Sequence, residues 1–250
     1  MILTGKKWQC ANKTPHYVVE TIFDLQDITK AIKVADSKVN HINVHNPGGL
    51  KRSPDVIHNR IVAGKLADSA VFELLRRRIA SSHLNSSIIE YDEIRNDGFV
   101  NVDPYDLLLQ KQDGTIELIE VRSSYCYKLA PEQKIIDKLS IYGWYTSLNK
   151  PQEPIKDWYW QFVYYMHPRD ISDDTLPSIP IFEEELSKGE IKGYIVGGAS
   201  RKQLDQYGTV RLDQDGARYM SLSPICNGGQ DYFNMVNSMF NINISSTNPN

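Results

Sequence analysis

Cysteine is scarce in this chain of 250 residues: Cys10, Cys126 and Cys226 are widely separated and odd in number, so neither a disulfide framework nor a zinc knuckle is expected. A reducing, cytoplasmic home fits that usage. Long apolar runs are also lacking. No stretch approaches the roughly 20 residues that cross a bilayer, and the opening MILTGKKWQC has no apolar core of the signal-peptide kind, so no membrane role is expected. Repeats are absent, and the one biased tract is the Asn/Ser-rich end from Ile242. An excess of positive charge is missing as well, the net charge being −3. What is present is an ordinary core-forming composition, 41% hydrophobic, enough for one large domain or two small ones.

The net charge conceals a segregation. Between Lys51 and Arg78 seven basic residues stand against three acidic ones, whereas between Glu90 and Glu120 nine acidic residues stand against two basic ones. A basic helix beside an acidic, cation-demanding segment is compatible with a nucleic-acid enzyme. Two solvated faces of opposite sign would look the same.

The acidic segment contains the stretch around which the chain is organised, VDPYDLLLQKQDGTIELIEVRSS from Val102 to Ser124. Apolar runs at Leu107 to Leu109 and Ile116 to Val121 flank Asp113-Gly114, a strong hairpin signal. Register then decides the chemistry. A three-residue loop, Gln112-Asp113-Gly114, with Gly114 left-handed, pairs Lys111 with Thr115 and sets Asp106 opposite Glu120, their Cβ atoms about 5 Å apart. A two-residue loop pairs Asp106 with Val121 and separates the acids to opposite faces. The three-residue loop is the expectation. Arg122 and Ser124 then share the face of Glu120, and Ile119 and Val121 point away.

Two carboxylates that close require a shared proton or a cation. A hard divalent ion such as Mg²⁺, with Mn²⁺ as its usual substitute, takes one or two carboxylates plus water and phosphate oxygens, and that arrangement suits phosphodiester hydrolysis. At these residues, Pro104-Tyr105-Asp106 followed by Glu120-Val121-Arg122, the chain resembles the PD-(D/E)XK nuclease superfamily, to which most type II restriction endonucleases belong. The resemblance spans roughly Ser53 to Ser124. It implies a restriction-endonuclease-like α/β fold, Asp106 and Glu120 as metal ligands, and double-stranded DNA as substrate. Two departures stand out: Tyr105 separates the Pro from the Asp, and Arg122 replaces the usual Lys. A guanidinium stays protonated and cannot take a proton from the attacking water, although it can orient that water or stabilise a developing anion. Lys128 is the other cation within reach of that role.

Upstream, Ser53 is placed to cap and Pro54 to start a long helix reaching about Ala80. Within it, Arg60 to Asp68 resembles the helix that precedes the catalytic hairpin in these nucleases, where a Gly permits close packing and an acid faces the metal. Asp68 is the candidate acid, with Glu73 behind it; a plain surface ion pair with Arg60 or Lys65 is the competing role. Lys51, Arg52, Arg60 and Lys65 are candidate phosphate contacts. Downstream, a helix is expected over Pro131 to Ile141, a turn at Tyr142 to Tyr145, a strand over Trp158 to Met166, a linker at Pro177 to Pro180, and a short helix from Phe182 to Leu186. A strand ending in the Gly197-Gly198 turn follows, then Arg201, a second hairpin over Val210 to Leu222 carrying Arg211 and Arg218, and a last helix from Asp231 to Phe240. Ser124, Lys128, Arg201, Arg211 and Arg218 complete the candidate DNA contacts.

These readings converge on an α/β fold, a mixed β-sheet flanked by helices. Residues 1–47 form an N-terminal arm or wrap, 48–241 the nuclease-like domain, and 242–250 a polar tail. The expected activity is Mg²⁺-dependent DNA cleavage by a homodimeric, type II-like restriction endonuclease, with Asp106, Glu120, Arg122 and Asp68 as the catalytic set. A transposon or repair nuclease of the same fold, or a non-catalytic DNA-binding module with a decayed site, are the alternatives.

Overall fold

Strand β7 (Trp158–Met166) is buried at every position, and the rest of the protein is layered on its two faces. Residues Trp160, Phe162, Tyr164 and Met166 enter one core with α1 (Leu25–Lys38), α2 (Pro54–Ser81) and the last helix. Tyr159, Val163 and Tyr165, alternating with them as strand geometry requires, enter a second core on the opposite face. The computed structural model describes residues 1–42, 51–127, 131–147, 152–166, 184–212 and 216–242.

The central sheet is mixed and seven-stranded. Its strands are β1 (Ile2–Gln9), β2 (Pro15–Ile22), β3 (Ser87–Glu90), β4 (Leu107–Gln110), β5 (Ile116–Tyr127), β7 and β8 (Lys192–Ser200), in the spatial order β1-β2-β8-β7-β5-β4-β3. The β5–β7 pair is parallel; all other neighbours are antiparallel. A second sheet holds β6 (Ile141–Thr146), β9 (Thr209–Leu212) and β10 (Arg218–Leu222), with β10 central. The short helix α3 (Tyr91–Ile94) follows β3, α4 (Arg201–Tyr207) follows β8, and α5 (Tyr232–Phe240) closes the described chain. The fold is thus the expected α/β class, a mixed sheet flanked by helices.

Helix starts follow local chemistry. Ser53 accepts from the Val56 N–H with Pro54 next to it, Asp24 and Asp27 form a reciprocal capping box on α1, and Asp231 accepts from the Asn234 N–H on α5, each satisfying a donor that the first turn leaves open. Residues 1–42, expected as an arm or wrap, are built into the fold: β2 pairs with β8 and α1 packs on α2.

Several expectations are corrected. Pro131 to Ile141 is not an α-helix; a 3-10 segment spans Glu132–Asp137, burying Ile135 and Ile136, and Ile141 already opens β6. Tyr142 to Tyr145 is strand, not turn. Gly197 and Gly198 lie within β8 and form no turn at its end; added Cβ atoms would meet Gln230 O and Tyr159 O at 2.0 Å, so close backbone packing requires glycine there. Cys10 and Cys226, 216 residues apart in sequence, form a disulfide, against the expectation of none. Among the described residues no helix is long and apolar enough to cross a membrane. Lys128, the linker at Pro177 to Pro180, the start of the Phe182 to Leu186 helix, the tip of the hairpin over Val210 to Leu222 and the 243–250 tail lie outside the described residues.

Candidate functional site

The β4–β5 hairpin has the three-residue loop and the register read from the sequence. Lys111 N–H donates to Thr115 O at 2.9 Å, Gly114 sits at φ +82°, and the pairs run from Gln110↔Ile116 to Leu107↔Ile119. One step further, Asp106 comes opposite Glu120, and there the ladder ends. Asp106 N–H donates to Ile119 O at 3.1 Å, while its Oδ2 accepts the Val121 N–H at 2.7 Å. The side chain therefore replaces a main-chain acceptor at the sheet end, which fixes its orientation at the mouth of a cleft.

That cleft, of about 360 Å³, is lined by Asp68, Asp106, Glu120, Arg122 and Glu153 among others. Asp68 reaches it from α2, where Gly64 and Lys65 line the same space. A Cβ on Gly64 would meet nothing within 4 Å. The glycine thus keeps the cleft open and serves no tight packing, contrary to expectation.

Charge in the cleft divides into two groups. Glu120, with 8% of its surface exposed, is ion-paired through Oε1 to Arg122 Nη1 at 2.9 Å and through Oε2 to Lys156 Nζ at 3.0 Å. Glu153 binds the same two cations, its Oε1 lying 3.1 Å from Lys156 Nζ. Two acids and two bases balance. Burial opposes charge on Lys156 and Arg122, but Glu120 and Glu153 outweigh it and hold both pKa values above their ordinary ranges. For Glu153 burial is likewise outweighed, by Arg122 and Lys156, and its pKa falls.

Asp68 and Asp106 form the second group. Among the described residues neither has an ion-pair partner. Burial, together with Glu90 and Asp92 and against Lys65, raises the Asp68 carboxyl to about 8. Burial, then the charges of Glu120 and Asp68, push Asp106 well up. Two half-buried carboxyls without an ion-pair partner form a donor set that a hard divalent cation fits.

The remaining candidates separate. Arg60 is exposed on α2 and lines an adjoining cleft of about 560 Å³ with Arg122, Ser124 and Lys138; Ser124 Oγ accepts from Gln161 Nε2 at 3.0 Å. Lys65 lines the cleft but is 5% exposed and clamped to Glu90 at 2.7 Å and Asp92 at 3.1 Å, so it ties α2 to the segment that begins with β3. Arg52 is 7% exposed. Glu73 faces away, holding Arg76 and Arg77 at 2.7 Å. Lys51 and Arg201 are exposed, the latter 3.6 Å from Asp205. Arg211 pairs across from Tyr219, which lines the adjoining cleft. Arg218, one residue earlier, points to the other face of the small sheet.

Glu153 and Lys156 were not legible as site residues. They lie in the connection that leads into β7, and only the parallel β5–β7 pairing, Glu120↔Tyr159, brings them to Glu120.

No family model matches the chain, and no solved structure matches it. It is similar to a protein of Methanocaldococcus jannaschii described as uncharacterized, with 23% identity over 240 residues covering 87% of this chain and 84% of that protein.

Proposed function

We propose that the chain is a Mg²⁺-dependent endonuclease that hydrolyses phosphodiester bonds in double-stranded DNA, of the sequence-specific, type II restriction kind and acting as a homodimer. One observation carries this reading: Asp106 at the end of the β4–β5 hairpin, Glu120 beside it and Asp68 from α2 line one cleft, with two of the three making no ion pair among the described residues. Asp106 and Asp68 would hold the ion together with Glu120, and Mn²⁺ would serve in its place. When bound, the ion polarises the scissile phosphate and lowers the pKa of an attacking water.

The chain's own residues do the rest. Arg122 and Lys156 are both held protonated, so neither serves as a base. They present fixed positive charge beside the reacting phosphate, where charge develops in a pentavalent transition state. Glu153 keeps both cations in place. Arg60, exposed in the adjoining cleft with Ser124 near it, binds the backbone of the strand on either side.

Nicking of supercoiled plasmid tests the reading. Wild type nicks with Mg²⁺ or Mn²⁺ and not with EDTA, and Asp106→Ala and Glu120→Ala abolish it; unchanged activity in either variant removes the site. A second reading has a specific observation in its favour: both Glu120 oxygens already carry cations, as in a non-catalytic DNA-binding module. DNA retention without any metal-dependent nicking selects it. Cutting governed by DNA structure and not by sequence selects a transposon or repair nuclease.

A further inference from the structure

The disulfide sits in a setting that a purely structural bridge does not need. Cys10 follows β1, His16 lies in β2, and Cys226 lies beyond β10; one ligand atom from each falls within 4.8 Å of the other two. Cys10 and His16 are each 4% exposed, while Cys226 is partly open to solvent. The His16 Nε2 lies 2.7 Å from Val196 O. A carbonyl only accepts, so Nε2 carries the proton and Nδ1 keeps the lone pair. Such a second contact to a backbone carbonyl fixes the tautomer of a metal-binding imidazole.

We propose that, once its disulfide is reduced, the Cys10–His16–Cys226 triangle binds one thiophilic divalent cation of the zinc class, the bridge and the bound metal being alternative closures of the same contact. Zinc takes sulfur at about 2.3 Å and nitrogen at about 2.0 Å in a tetrahedron, so two thiolates on one ion stand roughly 3.8 Å apart. The Cα atoms, 6.3 Å apart, allow that opening by side-chain rotation. Charge closes too, because two thiolates and a neutral imidazole with a dication sum to zero, the condition for a buried site. The chemistry balances. A phosphine supplies two electrons to the S–S bond and leaves as its oxide, one water giving the oxygen to phosphorus and two protons to the two thiols. Binding of the cation releases those two protons as two S–metal bonds form. Three protein ligands leave a fourth position, which water fills from the Cys226 side.

The test uses the full chain, reduced with a phosphine, freed of reductant under anaerobic conditions, and titrated with Co²⁺. The expected result is thiolate charge-transfer and tetrahedral d–d bands whose growth ends at one sulfur-bound Co²⁺ per chain, bleached by Zn²⁺. The unreduced protein, and reduced protein alkylated with iodoacetamide, should show no thiolate charge-transfer band. His16→Asn should weaken Co²⁺ at least tenfold while retaining both thiols. Absence of the thiolate band in reduced wild type, or its persistence after alkylation or in Cys10→Ser, overturns the proposal. Co²⁺ on the Asp68–Asp106–Glu120 oxygens gives no sulfur charge transfer, so this result is independent of the nuclease reading.

Discussion

Asp68→Asn isolates the uncompensated charge in the cleft. The Asp68 carboxyl titrates at about 8 in place of its ordinary 3.8. Between those values the folded state keeps a proton that the unfolded chain has released, so stability is full below about pH 4 and is lost progressively as pH rises through about 8. At about 1.4 kcal/mol per pH unit, the span comes to about 6 kcal/mol. Half of that, about 3 kcal/mol, is retained because the cleft is open to water and its effective dielectric is nearer 20 than 4. Asn has the same shape and no charge. Without metal at pH 8, the variant should therefore melt roughly 6–12 °C above wild type, at 2–4 °C per kcal/mol for a domain of this size, and the gain should fade toward pH 4. Mg²⁺ should act on wild type in the same direction at pH 8, by about 2.7 kcal/mol at one hundred times its dissociation constant, and little on the variant. Differential scanning fluorimetry across pH 4 to 8 measures both. A metal-free variant no more stable than wild type at pH 8 would refute the charge accounting.

Other outcomes follow from the same contacts. Lys65→Met strands the buried Glu90 carboxylate and should cost about 3–5 kcal/mol in chemical denaturation while leaving the salt slope of DNA binding unchanged. Arg60→Ala should do the opposite, preserving stability and reducing that slope by about one. Lys156→Met should destabilise by a similar 3–5 kcal/mol, and pairing it with Glu153→Gln should recover part of the loss, because the quartet is again balanced; a strictly additive double variant would argue against the network. Gly114→Val forces a β-branched residue to φ +82° and should cost about 1–3 kcal/mol of stability.

The hairpin was readable because its determinants are local: a left-handed Gly114, a loop length, and an alternation that leaves one register with its apolar positions inward. The start of α2 was readable for the same reason, since Ser53 and Pro54 act within one turn. What escaped depends on distant pairing. Lys156 meets Glu120 only because β7 runs parallel to β5, and Cys10 meets Cys226 only because the two ends of the chain converge on one core. Lys65 looked like a surface cation because nothing near it in sequence reveals Glu90 and Asp92 folding onto it. In the Tyr142 to Tyr145 stretch, Gly143 is a strand position whose added Cβ would lie 2.9 Å from the Leu204 side chain, a neighbour that nothing near it in sequence reveals.

The central physical claim is that Asp68, Asp106 and Glu120 jointly hold one divalent cation. Paramagnetic resonance of Mn²⁺ titrated into the disulfide-intact protein at pH 8 measures this directly. One Mn²⁺ per chain, displaced by Mg²⁺ and lost in Asp106→Asn, is the predicted result; no uptake by wild type, or equal uptake by the variant, would contradict it.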